Sequence, residues 1–542
     1  MVLRWALSLA LLAAVLILPV ALRAESQGLG ADLYLHGTSS EGRPVQAHRD
    51  KENVIQGKEA ACVNCHRRSG LGGQEGRVFI PPVAGPYLFH LKVDAADEAA
   101  LPYVESFRPN RPAYDEATLA RAIRNGVGAD GRELSYLMPR YEMSDTELAT
   151  LTGYLKNLGY GRVPGVEDAV LHFATIVTPD ADPRKREAFL AVINEFFSEK
   201  NAHTRALGPR VRSNRVMMAR VNRAWKLHLW ELSGPRDTWE AQLAKRMHAE
   251  PVFAVLSGLG GKDWGPIQRF CDERKLPCLF PNVDAPDAGS NNGYSLYFSE
   301  GVLLEAGLIA RDLERRLPGA KALRVVQVYR AGSAGDAAAG ALSTALKGSG
   351  VTVDTRAIEP GGAPADVSKA VGAVGEADVL VLWLAPDDLA ALGPATRAVA
   401  VYASAVMGGA DNPPIPAEWR AGTRFAYPYD TPERRRVPVD FALGWFRIRK
   451  IPVVEQRIQA DTLLACGLLA ESLEHMVDAF FRDYLIEKLE GMIGRRTLTG
   501  YYRHLSLGPG QRIASKGGYI VRFGDKEKSK GQLIADSEWV VP

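Results

Sequence analysis

Cys62-Val63-Asn64-Cys65-His66 is the run of residues whose types and spacing are most specific for chemistry. Two thiols at this interval, with a histidine directly after the second, suit covalent haem attachment: the sulfurs add to the vinyl groups and the imidazole binds the iron. A CxxC pair also occurs as a redox dithiol or as half of a zinc site. Zinc would want a second Cys or His pair nearby, and none stands at suitable spacing. The expected cofactor is one covalent haem c, held by Cys62, Cys65 and His66. No Ser/His/Asp or Cys/His grouping can be assembled from local sequence, and no Walker A or GxGxxG stands at a strand-to-helix junction. No catalytic residue is assigned, and the chemistry expected is one-electron transfer.

The iron's sixth ligand is sought downstream. Leu137-Met138-Pro139-Arg140-Tyr141-Glu142-Met143-Ser144-Asp145 precedes an amphipathic helix with Ser144 as N-cap, Glu147 completing a capping box, and Leu148, Leu151, Tyr154 and Leu155 as its apolar stripe. These motifs resemble class I cytochromes c over about residues 45–160. The resemblance implies that Met138 is the second axial ligand and that the domain is all-α. Met143 is the competing thioether, with a core contact as its alternative, and His90 would give bis-His ligation. Arg67 or Arg68 would pair with a haem propionate or simply be solvated. A further helix is expected from Asp115 to Asn125. The implied partner is a redox protein.

The elements that position these groups belong to a long chain. Its 542 residues, 46% hydrophobic and 24% charged, allow three or four folding units. A net charge of +3 from 66 basic and 63 acidic residues gives no footprint for nucleic acid. Met1 to Arg4 is a short basic start, Trp5 to Leu22 is mostly apolar, and polar sequence begins at Arg23. That order reads as a secretory signal over residues 1–24, placing the mature chain in the periplasm; an uncleaved membrane anchor is the alternative.

The cytochrome-like domain, 25–160, is expected to end at a linker, 161–168, with no apolar period. Strands at Val170–Val177, Lys226–Leu232, Val252–Leu256 and Cys278–Phe280 then alternate with helices, and a second set follows the helix Val302 to Arg316. Its strands are Leu323–Tyr329, Val351–Ile358, Val379–Leu384 and Ala398–Tyr402, followed by a long helix, Asp461–Arg482, and a terminal hairpin. Alternation of this kind means parallel, doubly wound sheets, here two α/β lobes over 169–542.

Ser257-Gly258 and Pro281-Asn282 after strands, Tyr297-Phe298-Ser299 before the lobe crossing, and Val328-Tyr329 with Gly335-Asp336 opening the second lobe resemble type I periplasmic binding proteins. The likeness is to the leucine/isoleucine/valine-binding branch of ABC transporter receptors. It implies a small-molecule ligand in the interlobe cleft, with Ser257, Gly258, Asn282, Tyr297, Tyr329, Asp387 and Tyr429 as candidate contacts. The chain departs from amino-acid binders at Ser257-Gly258-Leu259-Gly260-Gly261-Lys262, which supplies glycines and a lysine where further Ser or Thr would hold a carboxylate. Cys271 and Cys278 bracket a turn and are expected to form a short bridge, while Cys466, in an apolar run, reads as a buried thiol. The functional expectation is a periplasmic one-electron carrier whose larger domain binds a solute or a redox partner. The alternative is a transporter or sensory solute receptor with an accessory haem; an enzyme oxidising a cleft-bound solute is a third reading.

Overall fold

Short, isolated apolar positions build the first part of the chain. The computed structural model describes residues 28–49, 53–89, 111–159, 161, 163–207, 223–287, 293–317, 323–372, 374–476, 479–524 and 532–542. The leader, 1–24, and His90 lie outside the described residues. The described residues divide into two compact units: one comprises those within 28–163 together with 476 and 479–487, and the other those within 164–207, 223–475 and 488–542.

In the first unit, strands β1 (Gln46–His48), β2 (Val54–Gln56), β3 (Gly73–Glu75), β4 (Val78–Ile80) and β5 (Arg140–Glu142) are each three residues long. They form an antiparallel sheet of order β2-β1-β5 and the hairpin β3-β4. The unit is therefore not all-α, which corrects the sequence reading. Each strand of the three-stranded sheet buries a single side chain, Ala47, Ile55 or Tyr141, too few for a period of two to register. Its helices include 28–36, Val63–His66, Gly85–Leu88, Glu116–Asn125 and Asp145–Asn157. The last two begin in capping boxes, Asp115 with Thr118 and Ser144 with Glu147, that satisfy amide donors of the first turn. Leu33, Tyr34, Ala47, Leu119, Ile123, Leu148, Leu151 and Leu155 share one core.

The second unit has two sheets. Strands β6 (Val170–Val177), β7 (Ala224–Glu231), β8 (Ala254–Leu256), β9 (Cys278–Leu279) and β10 (Ser295–Leu296) form a parallel sheet of order β10-β9-β8-β6-β7. Strands β11 (Arg324–Arg330), β12 (Thr352–Ile358), β13 (Val379–Trp383), β14 (Ala400–Ser404), β15 (Thr423–Tyr427), β16 (Tyr519–Phe523) and β17 (Leu533–Ala535) form the other. Its order is β12-β11-β13-β14-β15-β16-β17, with the last two strands antiparallel. Helices cover both faces of such a sheet, which is why Val379-Leu380-Val381-Leu382-Trp383 is buried at every position and reads as a continuous apolar run.

Several expectations are corrected. The long helix runs Gln456–Met476 and a second helix, Arg482–Met492, follows it. Residues 164–168 belong to the second unit, where Val166 bridges Leu171 and Gly165 adopts φ 83°. A Cβ at Gly165 would stand 2.1 Å from the amide nitrogen of Phe253, so only glycine fits this approach. Cys271 and Cys278 are both buried as thiols in the core of the first lobe, where they fill the packed interface between sheet and helix instead of bridging. Cys466 is buried as expected, and burial raises its thiol pKa. Among the described residues no helix is long and apolar enough to cross a membrane.

Candidate functional site

The carboxyl ends of parallel strands point the following loops away from the sheet, and in the second unit the loops of both lobes meet at one cleft. Pro281, Asn282 and Val283 follow β9, Phe298, Ser299 and Gly301 follow β10, Val406 follows β14, and Tyr429 follows β15. Arg457 and Asp461, from the first turns of the helix Gln456–Met476, and Tyr502 complete the lining of about 350 Å³ of empty space open to solvent.

Two features organise the wall. Asn282 donates from Nδ2 to Ser257 Oγ (3.1 Å), Gly258 O (3.4 Å) and Thr462 Oγ1 (3.2 Å), pinning the loop after β9 to the long helix. Ser257 takes φ 51°, a left-handed conformation costly for a non-glycine residue, and it is fully buried under this bond. Rings from both lobes stack beside it: Phe280 lies parallel to Phe298 at 4.3 Å, Phe298 contacts Tyr502 at 5.3 Å, and Tyr429 contacts Tyr502 at 5.9 Å between centroids.

The charged part is compact. Arg457 Nη1 donates to Asp461 Oδ2 (3.2 Å), Arg457 Nη2 is 3.8 Å from Asp284 Oδ1, and Tyr502 donates its hydroxyl to Asp461 Oδ2 (3.1 Å). Asp461 Oδ1 is buried and has no hydrogen-bond partner. Burial lifts the Asp461 carboxyl to about 6, against the opposing pull of Arg457 and Tyr502. Behind Val406, Glu305 is fully buried; its Oε1 accepts the amides of Ala405 (2.8 Å) and Val406 (2.9 Å), and its Oε2 meets the Ser404 hydroxyl. Burial outweighs these bonds and pushes Glu305 up to about 8, so it is mostly protonated at neutral pH.

Of the seven cleft residues read from sequence, Asn282 and Tyr429 line the cleft, while Ser257 and Gly258 act through Asn282. Tyr297 is in the core of the first lobe and donates its hydroxyl to Gln268. Tyr329 is half-buried beside Asp336, and Asp387 is exposed on the short helix Pro386–Ala390; neither is among the residues that line this space. Arg457, Asp461 and Tyr502 were missed. The signal available was an Arg and an Asp four apart near the start of an otherwise apolar helix.

In the first unit, Cys62 caps the helical turn Val63–His66, and His66 is buried at its end. His66 Nδ1 lies 3.0 Å from Pro81 O; a carbonyl only accepts, so Nδ1 carries the proton and Nε2 keeps its lone pair. Burial lowers the His66 pKa and favours the neutral, metal-binding form. Gly72, at φ 66°, makes this contact possible: a Cβ there would stand 2.1 Å from Ile80 O and 2.8 Å from Pro81 O. Met138 and Cys62 both pack partly buried against the same core, whereas Met143 is 5% exposed within it. Val78, Phe79, Tyr136 and Leu137 expose apolar side chains on β4 and just before Met138. A thiol pair, a neutral histidine of fixed tautomer, a half-buried thioether and exposed apolar surface suit a flat apolar macrocycle with an iron centre. Arg67 and Arg68 are half-buried. Ser69, the next residue, donates its amide and hydroxyl to the Glu487 carboxylate at 2.9 and 2.6 Å.

No family model matches the chain, and no curated protein matches it. Among solved structures, the chain is 13% identical to an ABC transporter substrate-binding protein of Aeropyrum pernix, with a TM-score of 0.50 over 69% of this chain and 96% of that one. A fatty acid ABC transporter substrate-binding protein from Thermomonospora curvata is 14% identical at a TM-score of 0.49, covering 70% and 95%. A branched chain amino acid ABC transporter from Thermus thermophilus with bound valine is 12% identical at 0.49, covering 70% and 97%. Parallel sheets of order β10-β9-β8-β6-β7 and β12-β11-β13-β14-β15, with loops converging on one cleft, thus have the two-lobed α/β fold of ABC-transporter substrate-binding proteins.

Proposed function

We propose that the second unit is a receptor for a small polar solute, bound in the cleft between its lobes and presented to a transporter permease or a sensor. The observation that carries this reading is the cleft itself, to which both sheets contribute the loops at their carboxyl strand ends. Phe298 and Tyr502 supply apolar area, Asn282 and Arg457 supply donors, and Asp461 supplies an acceptor. A solute touching both lobes favours the closed arrangement by its differential affinity. The test is calorimetry and small-angle scattering of the purified full chain across a panel of small solutes. A binding solute should raise the melting temperature of the α/β unit and compact it; a panel with no effect on either counts against the receptor.

A second reading concerns the first unit and is favoured by the His66–Pro81 contact. We infer that Cys62 and Cys65 hold one haem c covalently, with His66 and Met138 as the residues placed to bind its iron. When bound, the haem supplies one-electron redox chemistry, and a redox protein is the partner this implies. Pro81 fixes which histidine nitrogen is available, and Gly72 lets the Pro81 carbonyl approach. Intact mass spectrometry of protein produced with haem-attachment machinery tests this: an unmodified polypeptide mass would overturn it.

A further inference from the structure

The unpartnered oxygen of Asp461 narrows the solute class, an inference that rests on the receptor reading. Asp461 is 2% exposed, lines the cleft, and has one oxygen satisfied by Arg457 and Tyr502 while Oδ1 has no partner. An acceptor left this way in a wall costs free energy until a donor arrives. Arg457 is not free to receive a ligand carboxylate, because its two terminal nitrogens already face Asp461 and Asp284. With both aspartates ionised, these three groups sum to one negative charge. Arg435 adds nothing to that sum, since it is paired with Asp411. Glu305 behind the wall is mostly neutral at neutral pH. Phe298, Tyr429 and Tyr502 line the same space, and aromatic faces attract cations.

We propose that the cleft takes a small organic ammonium ion, a primary amine without a carboxylate, whose N–H group donates to Asp461 Oδ1 among the three rings. An α-amino acid adds a further carboxylate beside two aspartates, where Arg457, the cation among the lining residues, is already engaged, and is disfavoured. An alcohol can donate the hydrogen bond but gains nothing from the negative charge or the rings.

The experiment is titration calorimetry of the full chain near neutral pH, at matched ionic strength, with ethylammonium, ethanolamine and benzylammonium chlorides. Ethanol, propionate and L-valine are the paired controls. At least one amine is expected to bind about tenfold or more tightly than all three controls. Asp461→Asn should abolish that binding while the circular dichroism spectrum is unchanged. If Asp461→Asn does not fold, Asp461→Glu, which keeps the charge but displaces the oxygen, should weaken the amine about tenfold. Binding of valine, propionate or ethanol at least as tight as every amine overturns the amine assignment and leaves the receptor reading intact. No heat from any compound counts against both, and amine binding indifferent to the Asp461 variant overturns the assignment of the site.

Discussion

Glu305→Gln should make the second unit more stable at alkaline pH and leave it nearly unchanged in acid. Gln keeps the shape: its carbonyl can accept the amides of Ala405 and Val406, and its amide can donate to Ser404, so the bonds now made by Glu305 have replacements. What changes is proton linkage. A carboxyl whose pKa is higher folded than unfolded keeps a proton that the unfolded chain has released, so stability is full below the unfolded value and is lost as pH rises through the folded one. For Glu305 the window runs from 4.5 to about 8. At about 1.4 kcal/mol per pH unit this amounts to roughly 5 kcal/mol across the window. Asp461 titrates in the same direction between 3.8 and about 6, but it is present in both proteins and cancels in the difference. The assay is urea denaturation followed by tryptophan fluorescence at a series of pH values. Apart from Trp5 every tryptophan lies between Trp225 and Trp539, so the signal reports the α/β unit. The variant minus wild-type stability should climb with pH across the window and level off above it. Parallel curves would refute the reasoning, because they would mean that Glu305 ionises in the folded protein as readily as in the unfolded chain.

Three further outcomes are expected. Met138→Ala should remove the weak sulfur-to-iron absorption band of the oxidised holoprotein, whereas Met143→Ala, a core deletion, should keep the band and cost about 2–5 kcal/mol of stability; the reverse pattern would move ligation to Met143. Gly72→Ala should push the Ile80–Pro81 backbone away from the helical turn and perturb the His66 environment, visible as a shifted haem spectrum, and an unchanged spectrum would show that the Pro81 contact does not govern the histidine. A chain beginning at Pro164 should aggregate more than the full protein, since segment 476–487, with Phe480 and Tyr484 buried, belongs to the other unit; a soluble, cooperatively melting fragment would refute this.

The long periodic elements were legible in the sequence and the short or composite ones were not. Val170–Val177 and Val302–Arg316 stand where periodicity put them, because eight buried-sheet residues or four helical turns give a pattern enough repeats. Thr423–Tyr427 was missed since Arg424 interrupts its apolar run; Arg424 is there to pair with Asp536 beyond the strand edge. In the cleft, Asn282 was legible as a residue just past a strand end. Arg457 and Asp461 come from a helix start, where position in sequence carries no record of what the helix end approaches. Tyr297 misled for the opposite reason: it follows a strand as a cleft residue should, but its ring turns into the core to meet Gln268.

The hydrogen bonds from Ser69 to Glu487 span 418 positions of chain. Ribosomal synthesis delivers Ser69 long before its carboxylate partner exists, so the first unit, whose apolar core comes from residues 33–158, can pack before this clasp is made. Loop-closure entropy delays such a pairing until the intervening polypeptide has compacted. The clasp at Ser69 is therefore the last part of the first unit to form.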